Sequence, residues 1–167
     1  DHGWIITDGG AVAGVIESVV TGSATEGGGT ASYTLVLTSQ PTSTVAIALT
    51  ADSTQVSLSA DTLSFTSLNW DVPQTVTITA VNDSVAEATF ATSVTHLVSV
   101  PADFALGYDN SLVVSDATVS ILDNDTAGVT LSKTTASVTE GGATDSYTFV
   151  LTSAPTTTVT IIPSALG

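Results

Sequence analysis

Gln74-Thr75-Val76-Thr77-Ile78-Thr79-Ala80-Val81 alternates apolar and polar side chains without a break until its last residue. In an extended strand successive side chains point to opposite faces. Val76, Ile78 and Ala80 therefore share one face, and Thr75, Thr77 and Thr79 the other. β-branched residues at most positions favour the extended backbone over a helix. The stretch predicts an antiparallel strand with one face on a core and one on water.

Working outward, the same period of two recurs. Residues 32–38 put Tyr33, Leu35 and Leu37 on one side, residues 44–50 put Val45, Ile47 and Leu49, and residues 62–66 put Leu63 and Phe65. Residues 88–100 carry Phe90, Val94 and Val98 in phase, residues 12–20 and 112–122 read as the outer strands, and residues 56–58 as a short one. Turn signals separate them, among them Ser39-Gln40-Pro41-Thr42 and Asn69-Trp70-Asp71-Val72-Pro73, where the tryptophan is expected to pack. No helical period of 3.6 is present. About seven short strands over a domain-sized length predict an all-β, antiparallel sandwich.

The chain is also similar to itself. Shifted by 114 positions, residues 13–53 align with residues 127–167 without a gap, and about 24 of the 41 pairs are identical. Thr25-Glu26-Gly27-Gly28 matches Thr139-Glu140-Gly141-Gly142, and Ser32-Tyr33-Thr34 matches Ser146-Tyr147-Thr148. A period this long is that of a domain and not of a solenoid. The expected organisation is a complete sandwich over residues 13–126 and the first three strands of a second over 127–167. Residues 1–12 read as a linker or the degenerate end of a preceding unit. Three strands leave sheet edges unpaired, so the natural protein is expected to continue. The opening residues, Asp1-His2-Gly3-Trp4, have no signal-peptide character, as in a mature or excised segment.

Composition narrows the partners. The 167 residues hold 16 acids against one basic residue, Lys133, for a net charge of −15. Phosphate backbones are recognised by Lys and Arg, so nucleic acid is excluded. Anionic membrane surfaces are disfavoured for the same reason, and no apolar run is long enough to insert into a bilayer. Thr and Ser make up roughly a third of the chain, a density that suits extended strands and offers many hydroxyls for O-glycans. Cys and Met are absent, which leaves hard oxygen ligands and no soft ones.

If the strands alternate in direction, four features fall at one end of the sandwich. They are residues 22–29 with Glu26, residues 51–54 with Asp52, residues 82–87 with Asp83 and Glu87, and the exit after residue 122 with Asp123 and Asp125. Like charges so gathered repel unless a cation sits among them. Calcium accepts six to eight oxygens in tolerant geometry; magnesium demands a strict octahedron, and zinc would want His or Cys. Asp103, Asp109 and Asp116 fall toward the opposite end and read as solvated.

Several segments resemble the Calx-beta domain. They are Val138-Thr139-Glu140-Gly141 (with Ala24-Thr25-Glu26-Gly27), Leu63-Ser64-Phe65, Val76-Thr77-Ile78, residues 82–87 and Val119-Ser120-Ile121-Leu122-Asp123-Asn124-Asp125. The resemblance implies a seven-stranded immunoglobulin-like sandwich. It also implies calcium ligands at Glu26, Asp52, Asp83, Glu87, Asp123 and Asp125. Two positions depart from the family pattern: Asn82 opens the acidic loop, and Asn124 interrupts the terminal acidic triplet. Fewer carboxylates imply weaker binding or fewer ions.

Asn82-Asp83-Ser84 and Asn124-Asp125-Thr126 are also N-glycosylation triplets, so Asn82 and Asn124 are candidate glycan carriers. Enzymatic chemistry is not expected. His2 is terminal, His96 lies in phase with Val94 and Val98 inside a strand, and the acids lack aromatic sugar platforms. The expectation is a calcium-binding repeat of a large extracellular or cell-surface structural or adhesion protein. Its partners would be neighbouring repeats, further copies, or surface glycans and proteins. The alternatives are a metal-independent, glycosylated repeat of a filament or sheath, and a carbohydrate- or protein-binding module.

Overall fold

The computed structural model describes residues 12–99 and 107–164. The expectation for residues 1–12 falls almost wholly outside these residues, as do Trp4 and His2. Among the described residues the chain is all-β, with eleven strands. They are β1 (Val15–Glu17), β2 (Ala24–Thr25), β3 (Thr30–Leu37), β4 (Val45–Thr50), β5 (Val56–Leu58), β6 (Thr62–Phe65), β7 (Gln74–Ala80), β8 (Phe90–Ser99), β9 (Ala117–Leu122), β10 (Val129–Leu131) and β11 (Phe149–Leu151). A four-stranded sheet in the order β1-β3-β7-β5 packs against a five-stranded sheet in the order β2-β9-β8-β4-β6.

The period of two becomes the core. In β7, Val76, Ile78 and Ala80 are buried while Thr75 and Thr79 are exposed. Tyr33, Leu35 and Leu37 of β3 join them from the same sheet. Val45 and Ile47 of β4, Phe65 of β6, Val94 and Val98 of β8, and Val119 and Ile121 of β9 close from the other. Each fully buried side chain of this size contributes about 1.5–3 kcal/mol of transfer free energy. Trp70 packs partly on this core, and its carbonyl accepts the Leu37 N–H at 3.0 Å.

The outer strands differ from expectation. The segment 12–20 contributes only three ladder residues as β1. The chain then passes a single bridge, Thr21 to Ser32, and Gly22 at φ 80°. There it leaves β3 and crosses to the other sheet as β2. Only glycine takes that backbone angle without strain. The segment 112–122 likewise pairs only from Ala117 onward. Ahead of it lies an anchor outside the strands that the alternation marks: Tyr108, fully buried. Its hydroxyl accepts the Ser39 N–H and donates to the Ser39 carbonyl, both at 3.0 Å, and meets Ser39 Oγ at 3.0 Å.

His96 is enclosed as its phase predicts, its side chain wholly covered. Nε2 lies 2.7 Å from the Tyr33 hydroxyl, and Nδ1 faces the Ser115 carbonyl. A carbonyl only accepts, so Nδ1 carries the hydrogen, and in the neutral ring Nε2 accepts from Tyr33. Glu17 points inward beside this pair with Oε2 4.0 Å from His96 Nδ1, buried and without a hydrogen-bond partner. Burial raises the Glu17 carboxyl above its ordinary value; His96 opposes that shift and Asp116 adds to it.

β10 and β11 pair 114 residues after β1 and β3 with the same register. Val129 faces Leu151 and Leu131 faces Phe149, as Val15 faces Leu37 and Glu17 faces Leu35. Thr152 N–H donates to the Gly128 carbonyl at 3.0 Å, as Thr38 N–H does to Gly14 at 2.9 Å. No helix among the described residues is long and apolar enough to cross a membrane.

Two outcomes are expected. Tyr108→Phe strands the buried Ser39 N–H and should cost about 1–3 kcal/mol in urea unfolding; a change within the error of the midpoint would rule out the hydroxyl as an anchor. Glu17 has a raised folded-state pKa, so its stabilising form is the protonated one. That contribution is complete below the ordinary carboxyl value and is lost as pH rises through the raised one. Glu17→Gln should therefore raise the melting temperature at neutral pH, with the gain shrinking as the pH falls into the carboxyl range.

Candidate metal centre at the exit of β9

Strand polarity brings the four expected loops to one end. β7 runs antiparallel to β3, β8 antiparallel to β9 and to β4, and β5 antiparallel to β7. The start of β3, the ends of β4, β7 and β9 and the start of β8 therefore share a rim. The decisive element is β2. Ala24 and Thr25 pair in parallel with Ile121 and Leu122, which sets residue 26 beside residue 123. Glu26 N–H then donates to the Leu122 carbonyl at 2.9 Å. A tight turn follows, with Gly27 at φ 62° and Gly28 N–H donating to the Thr25 carbonyl at 3.0 Å.

Three carboxylates meet here. Glu26, Asp123 and Asp125 each place one oxygen such that all three lie within 4.8 Å of one another. An ion with oxygen distances of about 2.3–2.6 Å spans ligands up to about 5 Å apart, so one calcium fits this spacing. Glu26 is 3% exposed, an unusual burial for a glutamate, and its Oε2 accepts the Asp83 N–H at 3.2 Å. Asp123 Oδ1 accepts the Asp125 N–H at 2.9 Å, and Oδ2 accepts the Glu87 N–H at 2.6 Å. Hydrogen bonds from the Asp125, Glu87 and Asn124 backbones hold the Asp123 carboxyl below its ordinary value. It is thus an anion at neutral pH. Asp125 Oδ2 is buried and has no hydrogen-bond partner. A buried carboxylate oxygen without a donor carries a desolvation cost that a cation would remove.

The other expected ligands are placed differently. Asp83 and Glu87 reach the cluster through their backbone N–H groups; the Asp83 carboxylate accepts the Val85 N–H at 2.7 Å instead. Asp52 caps its own turn, its Oδ1 accepting from Thr54 N–H at 2.9 Å and Thr54 Oγ1 at 2.6 Å. It stands outside the three-residue cluster. The part played by the backbone at residues 83 and 87 leaves no signal in side-chain identity.

Asn124 is the clamp of the site. Its amide donates to the Glu26 carbonyl and to Asn82 Oδ1, both at 2.9 Å. The two departures from the acidic pattern therefore bond to each other. Both hydrogens of the Asn124 amide are in use, and an N-linked glycan replaces one of them. A glycan at Asn124 would thus break one of these ties; Asn82, whose Nδ2 meets only the Asp83 carbonyl at 3.1 Å, loses less.

A scan against models of known protein families matches none, and no curated protein sequence matches the chain.

Gly27 tests the packing of this rim. A Cβ there would sit 2.8 Å from Asn124 Nδ2 and 2.9 Å from Asn82 Oδ1, on a backbone angle that L-residues avoid. Gly27→Ala should destabilise residues 13–126 by about 1–2 kcal/mol or more in chemical denaturation; Gly28→Ala, where the Cβ meets ordinary contacts at 3.8 Å, should cost less.

Proposed function

We propose that residues 13–126 form a calcium-binding, Calx-beta-like sandwich with an immunoglobulin-like strand arrangement. It would be a repeat in a large extracellular or cell-surface protein of structural or adhesive, non-enzymatic role. Calcium at the β9 exit would stiffen the joint to the following repeat. The observation that carries this reading is the three-carboxylate cluster with its unpartnered Asp125 Oδ2. A bound cation would supply charge neutralisation among groups that otherwise repel. The joint itself supports a mechanical role. The loop between β7 and β8 bonds to Asp123 and Asn124 on one side, and its Ser84 carbonyl accepts the Ala154 N–H at 2.6 Å on the other. The same-register strands 114 residues on are what a tandem repeat would produce.

One observation favours the metal-independent structural reading. Asp123 already accepts two backbone N–H groups, and Asn124 bridges Glu26 and Asn82, so hydrogen bonds alone tie this rim together.

Titration calorimetry with calcium separates the two. Binding should appear at or below millimolar calcium, the range of extracellular modules. At ten times Kd, calcium should add about 1.4 kcal/mol to stability. Asp123→Ala combined with Asp125→Ala should abolish both effects. Absence of heat and of any melting shift at millimolar calcium would leave the hydrogen-bonded rim as the whole function of these residues.

A further inference from the structure

Residues 127–164 expose an apolar face whose counterpart is core. Tyr147 is 44% exposed, Phe149 37%, Val159 50% and Ile161 38%. The residues 114 positions earlier, Tyr33, Leu35, Val45 and Ile47, are at most 2% exposed. Two apolar hollows border this segment, one beside Val129, Leu151 and Val159 with Val85 and Ala86 at its edge, and the other beside Leu131, Tyr147 and Phe149.

Backbone edges are open at the same place. β3 is paired on both sides, by β1 and β7, whereas among the described residues β11 is paired by β10 alone. β4 lies between β6 and β8, whereas its counterpart, residues 159–164, belongs to no sheet. Unpaired strand edges beside an uncovered apolar face are a template for added strands. Ser153 corresponds to Ser39, whose backbone is held by the buried Tyr108 hydroxyl. Charge does not oppose a partner here. Residues 127–167 carry Glu140, Asp145 and Lys133, the last two paired with each other, while residues 13–126 carry acids and neither Lys nor Arg.

We propose that this face is a docking surface for one kind of occupant: a polypeptide segment patterned like residues 54–122. Such a segment supplies a β7-like strand for the open edge of β11 and β6- and β8-like strands to flank residues 159–162. It also brings a tyrosine to hold the Ser153 backbone. Pairing on residues 159–162 stops at Pro163, which lacks the N–H that Leu49 donates to the Asp61 carbonyl at 2.8 Å. The hollows are then halves of a core and not ligand pockets. None of this depends on calcium.

The test extends the chain. Residue 167 corresponds to residue 53, so a copy of residues 54–126 fused after Gly167 continues the register. The expected result is hydrogen-exchange protection of amides 147–151 approaching that of amides 33–37. Phe149→Asp, at a position exposed in the unextended chain, should remove that protection and leave the amides of β3 protected. Free exchange at 147–151 in the extended chain, or protection that survives Phe149→Asp, would overturn the proposal. In a second arm, residues 54–126 supplied as a separate polypeptide should bind the unextended chain one to one, with loss of binding in Phe149→Asp. Dimerisation of the unextended chain through this face, abolished by the same variant, would instead assign the surface to a second copy and overturn it.

Discussion

The rim of this protein depends on a parallel pairing only two residues long. Ala24 and Thr25 leave the sheet of β1 and β3 and lie beside Ile121 and Leu122. The pairing closes one end of the sandwich between its two sheets and sets Glu26 against the residues that follow β9. Its brevity is compensated by what flanks it. Ala24 is fully buried, Glu26 N–H extends the pairing to the Leu122 carbonyl, and the turn behind it is closed by Gly28 and Gly29. A longer parallel pairing would carry the chain past the rim, and no pairing would leave Glu26 in solvent.

Given that placement, the rim holds its charges by hydrogen bonds first. Carboxylates within 4.8 Å repel, and the backbone answers with N–H donors from residues 83, 87 and 125. Residues 83 and 87 belong to a loop fixed at both ends by buried strands, and residue 125 follows β9 directly, so these donors are positioned before any ion arrives. Asn124 and Asn82 add no charge, yet they join the β9 exit to that loop. An aspartate at either position would lengthen the list of anions, and one at 124 would also remove this bond, because Asn124 is its donor. The site as built trades charge for connection, with Asp125 Oδ2 left as the one buried carboxylate oxygen of the rim without a donor.

The opposite face of the same economy is seen in Glu17 and in residues 127–164. Glu17 is an inward carboxylate that neither the rim nor the core satisfies, and its cost appears as a raised pKa. Its counterpart 114 residues later is Leu131. The inward position of Ala31 is occupied there by Asp145, which bonds Lys133 and the Ser137 backbone. Two stretches so similar in sequence thus keep the strand register while exchanging which inward positions are polar. Register follows the alternation, which both share, and not the identity of any single side chain.

The sequence by itself determined the strands, their inward faces and the end at which the acids gather. Each of these follows from a period of two read along the chain, as in Val76, Ile78 and Ala80, and from strands that reverse direction at each turn. It also gathered Glu26, Asp123 and Asp125 at one end, along with Asp52, Asp83 and Glu87, because loops that alternate ends must share one. Only the tertiary structure decided the rest. The crossing of β2 depends on a glycine angle at residue 22 and on a vacancy beside β9, neither of which has a periodic signature. Tyr108 looks like a loop residue until the turn at Ser39 is folded against it. The separation of Asp52 from the cluster, and the use of residue 83 through its backbone, arise because Thr54 and Val85 take up those carboxylates locally. Pattern reports which face a residue takes; which atom it offers there is settled by the neighbours the fold delivers.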